Sequence, residues 1–147
     1  RGREGARIMG RHIRRQEPAW DMILASPAER VRLTLEEAAI GVKPTFDQRL
    51  YLAGPETHLE VIKHKAGDAD AVLIAAHNPG LQDLVLALVS QENETPDFRE
   101  AMVKFPTASF AVLELPIDDW SELGSRDARL VHFMRPRDLD PNLGPED

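Results

Sequence analysis

Asp21-Met22-Ile23-Leu24-Ala25 passes directly into Ser26-Pro27-Ala28-Glu29-Arg30-Val31-Arg32-Leu33-Thr34. The first stretch, apolar from Met22 onward, is too short for a stable helix and fits a buried strand. Ser26 followed by Pro27 has the chemistry of a helix N-cap and first helical position, so the spacing predicts a helix from 27 onward. Arg30 then lies one turn into that helix, near the C-terminal edge of the strand. The same handover recurs downstream. Ala71-Val72-Leu73-Ile74-Ala75-Ala76 is a continuous apolar strand, Pro79 opens the apolar helix Leu81-Gln82-Asp83-Leu84-Val85-Leu86-Ala87-Leu88, and His77 is left at the strand's end.

In an open α/β sheet, ligands gather beyond the carboxyl ends of the strands, where helix N-termini aim backbone N–H groups outward. An Arg and a His delivered to that edge make an anion site. The planar guanidinium can hold two phosphate oxygens at once and stays charged, while an imidazole can bond a third and changes charge near neutrality.

Walking outward, the periodicity predicts helix over 3–15, strand 21–25, helix 27–41, strand near 47–51, helix 55–66, strand 71–76 and helix 79–90. A short helix at 97–103 and strands at 108–115 and 128–134 follow, with Gly41 and Gly67 placed as helix C-caps. This alternation predicts an α/β fold with three layers: a mostly parallel sheet, helices on both faces and right-handed crossovers. The short link around Pro116 and Gly124 lets the last two strands pair antiparallel at the sheet edge. The tail from Pro136 to Asp147, with its three Pro and four acids, reads as irregular surface chain.

The chain of 147 residues suits one domain with a single core, spanning 1–147. It has no Cys, which removes disulfides and thiolate chemistry and is compatible with the cytoplasm, the expected location. No apolar run approaches the roughly 20 residues needed to cross a bilayer, so no membrane-spanning helix is expected. The net charge of −7 argues against general nucleic-acid binding, and it would repel phosphorylated substrates unless the site is locally basic. Residues 1–15 depart from this balance with six Arg against Glu4 alone. They read as a surface helix whose buried face is Ala6, Met9 and Ile13, its basic face solvated. No GxGxxG or GxxxxGK[ST] loop supports a nucleotide-binding reading.

Taken together, Ser26-Pro-Ala-Glu-Arg30 with Thr34, Leu50-Tyr51-Leu52-Ala53, His77-Asn-Pro-Gly80, Lys104-Phe105-Pro106-Thr107-Ala108-Ser109 and the late Pro136-Arg137 make an ordered set over most of the chain. In that order they resemble the histidine phosphatase superfamily, and within it the small SixA-like phosphohistidine phosphatases. The resemblance implies the phosphoglycerate-mutase-like arrangement of the α/β fold. It also implies a metal-independent phosphatase, without cofactors, acting through a phosphohistidine intermediate. The substrate would be a phosphorylated protein, phosphohistidine above all, or a small phosphate ester. Arg30 and His77 would be catalytic and, with Asn78, would hold the phosphoryl group, while Glu56 and Thr107 are weaker candidates, the former as leaving-group acid.

The family's nucleophile is the His of an Arg-His-Gly or Arg-His-Ala triplet ending the first strand, and no such triplet occurs here. Arg11-His12 is followed by Ile13 inside the amphipathic helix, so His12 reads as a helix-surface residue. The chain opens without Met on Arg1-Gly2-Arg3, which resembles the family's segment just after its first strand and loop. The expectation is a natural start lying upstream, roughly a few tens of residues longer, with that strand and triplet in it. The alternative is an inactive phosphate-binding or regulatory module that has lost its nucleophile.

The remaining polar residues carry competing readings. Arg32 points away from Arg30 on a helix and reads as surface. Thr34 can brace Arg30 or bond back to its own turn. Asp83 can orient His77 or sit solvated, and Glu56 equally suits compensation of a helix dipole. His58, His64 and His132 show no metal-ligand spacing.

Overall fold

A computed structural model describes residues 2–16, 19–124 and 126–143. The last four residues of the expected irregular tail therefore lie outside the described residues. Six α-helices run through the described chain: α1 (Gly2–Arg14), α2 (Glu29–Ala38), α3 (Pro55–Lys65), α4 (Gly80–Leu88), α5 (Pro96–Val103) and α6 (Pro136–Leu139). Five strands interleave with them: β1 (Met22–Ala25), β2 (Pro44–Phe46), β3 (Val72–Ala75), β4 (Phe110–Glu114) and β5 (Arg129–Met134). The protein is thus α/β, with helices covering a parallel sheet and an antiparallel pair beside it.

β1 is the central strand of a parallel sheet in the order β2-β1-β3, with Ala25 opposite Phe46 on one side and Ala75 on the other. Successive side chains of a strand point to opposite faces, and β1 shows it directly. Leu24 packs into a cluster with Leu50, Val61, Ile62, Leu84 and Leu88, under α3 and α4. Ile23 and Ala25 turn the other way, onto Val31 and Leu35 of α2. Leu24 is fully buried, so truncation to Ala would cost about 2–5 kcal/mol.

α1 buries Ala6, Met9 and Ile13, the predicted face. It packs so closely on the end of α2 that a Cβ at Gly10 would overlap the Ala38 carbonyl. Arg14 donates to the carbonyls of Ala38 and Ala39 at 2.7 and 2.6 Å, satisfying the end of α2, and Arg7 pairs with Glu37 at 3.1 Å. Part of the basic face therefore clamps α2 and is not simply solvated.

Several local expectations change. The strand placed near 47–51 lies at Pro44–Phe46, because Asp47 caps a 3-10 turn over Gln48–Leu50 by accepting from the Arg49 N–H at 2.9 Å. α2 ends on Ala39 in a left-handed conformation (φ 50), not on Gly41. The tail folds back as α6 and a 3-10 turn at Pro141–Leu143, with Leu143 buried. His12 is half-buried, its Nε2 2.7 Å from Nε2 of His132, and both rings abut Phe110.

The largest departure concerns the sheet. β4 and β5 form a separate antiparallel pair, and β3 is hydrogen-bonded to β1 alone. Asn78, after β3, bonds Phe105, before β4, while Trp120, after β4, bonds Ala69, before β3. β4 therefore runs opposite to β3, and the edges of both line a cleft of about 1450 Å³ between them. Val72, Leu73, Ile74 and Ala75 are all half-buried, although a parallel strand under helices is usually enclosed. Trp20 Nε1 and Ser109 Oγ, which also line the cleft, are buried without a hydrogen-bond partner among the described residues.

Candidate active site

The C-terminal edge of the parallel sheet delivers the residues. β1 ends at Ala25, and Ser26 follows fully buried, its N–H bonded to the Ala75 carbonyl at 2.9 Å. β3 ends at Ala75, and His77 follows two residues on. Two neighbouring parallel strands thus place Ser26 and His77 side by side, with Ser26 Oγ 2.8 Å from His77 Nε2. Helix α2 begins at Glu29 with Ala28 as its N-cap, two residues later than the Ser-Pro pair suggested. The Ser26 hydroxyl still accepts from the Ala28 N–H, at 3.3 Å, but its shorter bond is to His77.

Arg30 stands exposed on the first turn of α2 and lines the same cleft as His77. The two are electrostatically coupled: burial, and then the nearby charge of Arg30, hold the His77 imidazole below the ordinary histidine value. The Tyr51 ring meets the His77 ring edge-on, with centroids 5.4 Å apart at 74°. His77 is therefore held from two sides, by a hydroxyl and by an aromatic ring, while its remaining nitrogen has no hydrogen-bond partner among the described residues.

His58, which showed no pattern in the chain, is fully buried in α3. Its Nδ1 donates to the Gly54 carbonyl at 2.8 Å and its Nε2 has no partner among the described residues. Burial lowers its pKa, the Gly54 bond opposes that, and proximity to His77 lowers it further. His58 also packs under the start of α4, where its Cε1 would lie 3.2 Å from a Cβ at Gly80.

Other expected site residues fall differently. Asn78 is engaged through its side chain, donating to the Phe105 carbonyl at 2.7 Å and accepting from the Gln82 N–H at 3.3 Å. Its amide ties the His77 loop to the segment before β4, and Asn78 also lines the cleft. Thr34 bonds back to the Arg30 carbonyl at 2.8 Å, the local option of the two. Asp83 and Arg32 are exposed. Glu56 is exposed in the first turn of α3, where its charge complements the helix end. Thr107 is exposed on the rim of the cleft. Ser26 and His58 were the residues missed as site members. The Ser-Pro pair pointed at Ser26 but was read as a cap alone, and His58 carried only the weak signal of a His on an apolar helix face.

A short parallel sheet that delivers an Arg and a His to its carboxyl edge is an α/β arrangement of the kind that binds ligands beyond the strand ends. No family model matches the chain. The uncharacterized protein ML1117 of Mycobacterium leprae (strain TN) is 33% identical over 137 residues, which cover 93% of this chain and 84% of that protein. The uncharacterized protein Rv1276c of Mycobacterium tuberculosis (strain ATCC 25618 / H37Rv) is 33% identical over 138 residues, covering 93% and 87%. Among solved structures, the "Putative Phosphohistidine Phosphatase SixA from Nakamurella multipartitia" superposes with a TM-score of 0.82 at 26% identity, over 91% of this chain and 81% of the other. A like-named protein from Agrobacterium tumefaciens gives 0.69 at 25% identity, over 90% and 78%. The chain belongs to the SixA-like group of the histidine phosphatase superfamily.

Proposed function

We propose that the protein is a phosphatase working through a phosphohistidine intermediate, on phosphohistidine proteins or small phosphate esters, with Arg30 and His77 holding the phosphoryl group. The observation that carries this reading is that Arg30, in the first turn after β1, and His77, just after β3, line the same cleft beyond the carboxyl ends of the parallel strands. A guanidinium offers paired donors to two phosphoryl oxygens and an imidazole N–H offers a third, which stabilises the charge spread over the equatorial oxygens during transfer.

The nucleophile is assigned to a strand seated between β3 and β4. The cleft supports this: among the described residues both flanking strands have one unpaired edge, and Trp20 Nε1 and Ser109 Oγ, buried in its lining, have no hydrogen-bond partner. A strand running parallel to β3 would join the two sheets and end beside Arg30 and His77, where an Arg-His-Gly or Arg-His-Ala triplet would have its His in reach of phosphorus. The imidazole nitrogen bonds phosphorus in line, the bond to the leaving group breaks, and that group departs with a proton. Water then cleaves the P–N bond, releasing phosphate and restoring the His.

The second reading, a phosphate-binding module, is favoured by one feature of the 147 residues, the absence of the triplet. The test is hydrolysis of p-nitrophenyl phosphate and of a phosphohistidine peptide by the complete gene product, beside Arg30→Ala and His77→Ala. Each substitution should lower kcat/KM by about a hundredfold, the effect of losing charge-assisted hydrogen bonds. Unchanged rates in both variants refute the site, and phosphate binding without turnover selects the module.

A further inference from the structure

We propose that Ser26 is a positioning residue that locks His77 in the Nδ1–H tautomer, so that a neutral imidazole presents an N–H to the phosphoryl group. The inference deepens the phosphatase reading and rests on it.

The argument is a count of donors and acceptors in a closed space. Ser26 is 0% exposed, and its Oγ contacts the Ala28 N–H at 3.3 Å and His77 Nε2 at 2.8 Å. A backbone N–H can only donate, so Oγ accepts there. The hydroxyl hydrogen must then be placed, and among the described residues His77 Nε2 is the acceptor that Oγ meets. The hydroxyl donates, Nε2 supplies the lone pair, and the neutral ring keeps its proton on Nδ1. In the opposite tautomer Nε2–H would donate to Oγ, leaving the buried hydroxyl hydrogen without an acceptor, an arrangement disfavoured by roughly tenfold or more.

The geometry is held at both ends. The Ser26 backbone is pinned to Ala75, and the Tyr51 ring makes a T-shaped contact with the imidazole. His77 lines the cleft and its Nδ1 has no hydrogen-bond partner among the described residues, which leaves that N–H free to donate to a phosphoryl group bound there. Arg30 already supplies positive charge beside it, and burial disfavours a second cation. A neutral donor of fixed orientation therefore serves above the lowered pKa of His77, where an untethered imidazole would favour Nε2–H and turn a lone pair toward the anion.

The test uses the complete gene product labelled with 15N-histidine, examined by NMR at pH 8 and titrated with inorganic phosphate. The wild type should show His77 protonated at Nδ1 with a lone pair on Nε2, and its signals should move as phosphate binds. Ser26→Ala should shift the ring toward the Nε2–H form and weaken phosphate binding roughly tenfold. Ser26→Thr, which keeps the hydroxyl, should recover most of both. An Nε2–H ring in the wild type, or a tautomer unmoved in Ser26→Ala, overturns the role of Ser26 whether or not phosphate binds. A ring in the expected tautomer that ignores phosphate overturns instead the phosphoryl-binding reading beneath it.

Discussion

Gly80→Ala tests how the His77 loop is held. Gly80 opens α4, three residues after His77, and a Cβ there would overlap the carbonyl oxygen of Ala53 and press on His58 Cε1 at 3.2 Å. Neither neighbour yields easily: Ala53 is backbone between the Gln48–Leu50 turn and α3, and His58 is buried and tied to Gly54 at 2.8 Å. The start of α4 must move outward, taking His77 off Ser26 and Tyr51. Overpacking costs about 1–3 kcal/mol, and a clash with a backbone carbonyl that cannot swing aside belongs at about 2–3 kcal/mol, against a helix-propensity gain for Ala of at most about 1 kcal/mol. The net loss is about 1–2 kcal/mol, which with a urea m-value of about 2 kcal/mol/M lowers the unfolding midpoint by roughly 0.5–1 M. Urea unfolding followed by circular dichroism measures it, with Gly2→Ala as the control, since a Cβ at Gly2 meets nothing within 4 Å. If Gly80→Ala unfolds at the wild-type midpoint, the close seat of α4 on the 51–54 turn is wrong, and so is this account of how His77 is aligned.

His12, His58 and His77 all have folded pKa values below the ordinary 6.5, chiefly through burial. The unfolded chain therefore binds protons first: stability is complete above pH 6.5 and falls as the pH drops below it toward the folded values. Urea midpoints at pH 7.5 and 5.5 should show the loss, and His58→Leu should shrink the difference between them. Asp47, bonded to Arg49 and lowered to about 2, contributes stability that is present above its ordinary 3.8 and disappears as the pH falls toward 2. Asp47→Asn should flatten the acid limb of a stability profile over that range. Thr95 caps α5 by accepting from the Phe98 N–H at 3.2 Å, so Thr95→Ala should cost about 1 kcal/mol in thermal or urea unfolding.

Much of the architecture is legible along the chain because it depends on local chemistry. Met22–Ala25 and Val72–Ala75 are apolar runs with helix-opening Pro residues behind them, and both are strands that end at the site. The Ala6, Met9, Ile13 face of α1 follows from helical spacing alone. β2 was misplaced because Asp47 can equally end a strand or cap a turn, and the choice depends on the Arg49 N–H it accepts from. Thr34 presented two options within one turn of helix, and the backbone took the nearer.

Residue order was enough to place Arg30 and His77 at the same sheet edge, since parallel neighbours release their chains on one side and periodicity reveals the strands. It could not assign partners to individual atoms. Ser26 meets His77 across 51 positions, and His58 lies near it on α3, because β1, β3 and α3 are packed together by Leu24, Ile74 and Val61 rather than by anything within those short stretches. The open edges facing each other across the cleft are likewise a property of how two sheets are set in space, and periodicity along a strand carries no record of what lies beside it.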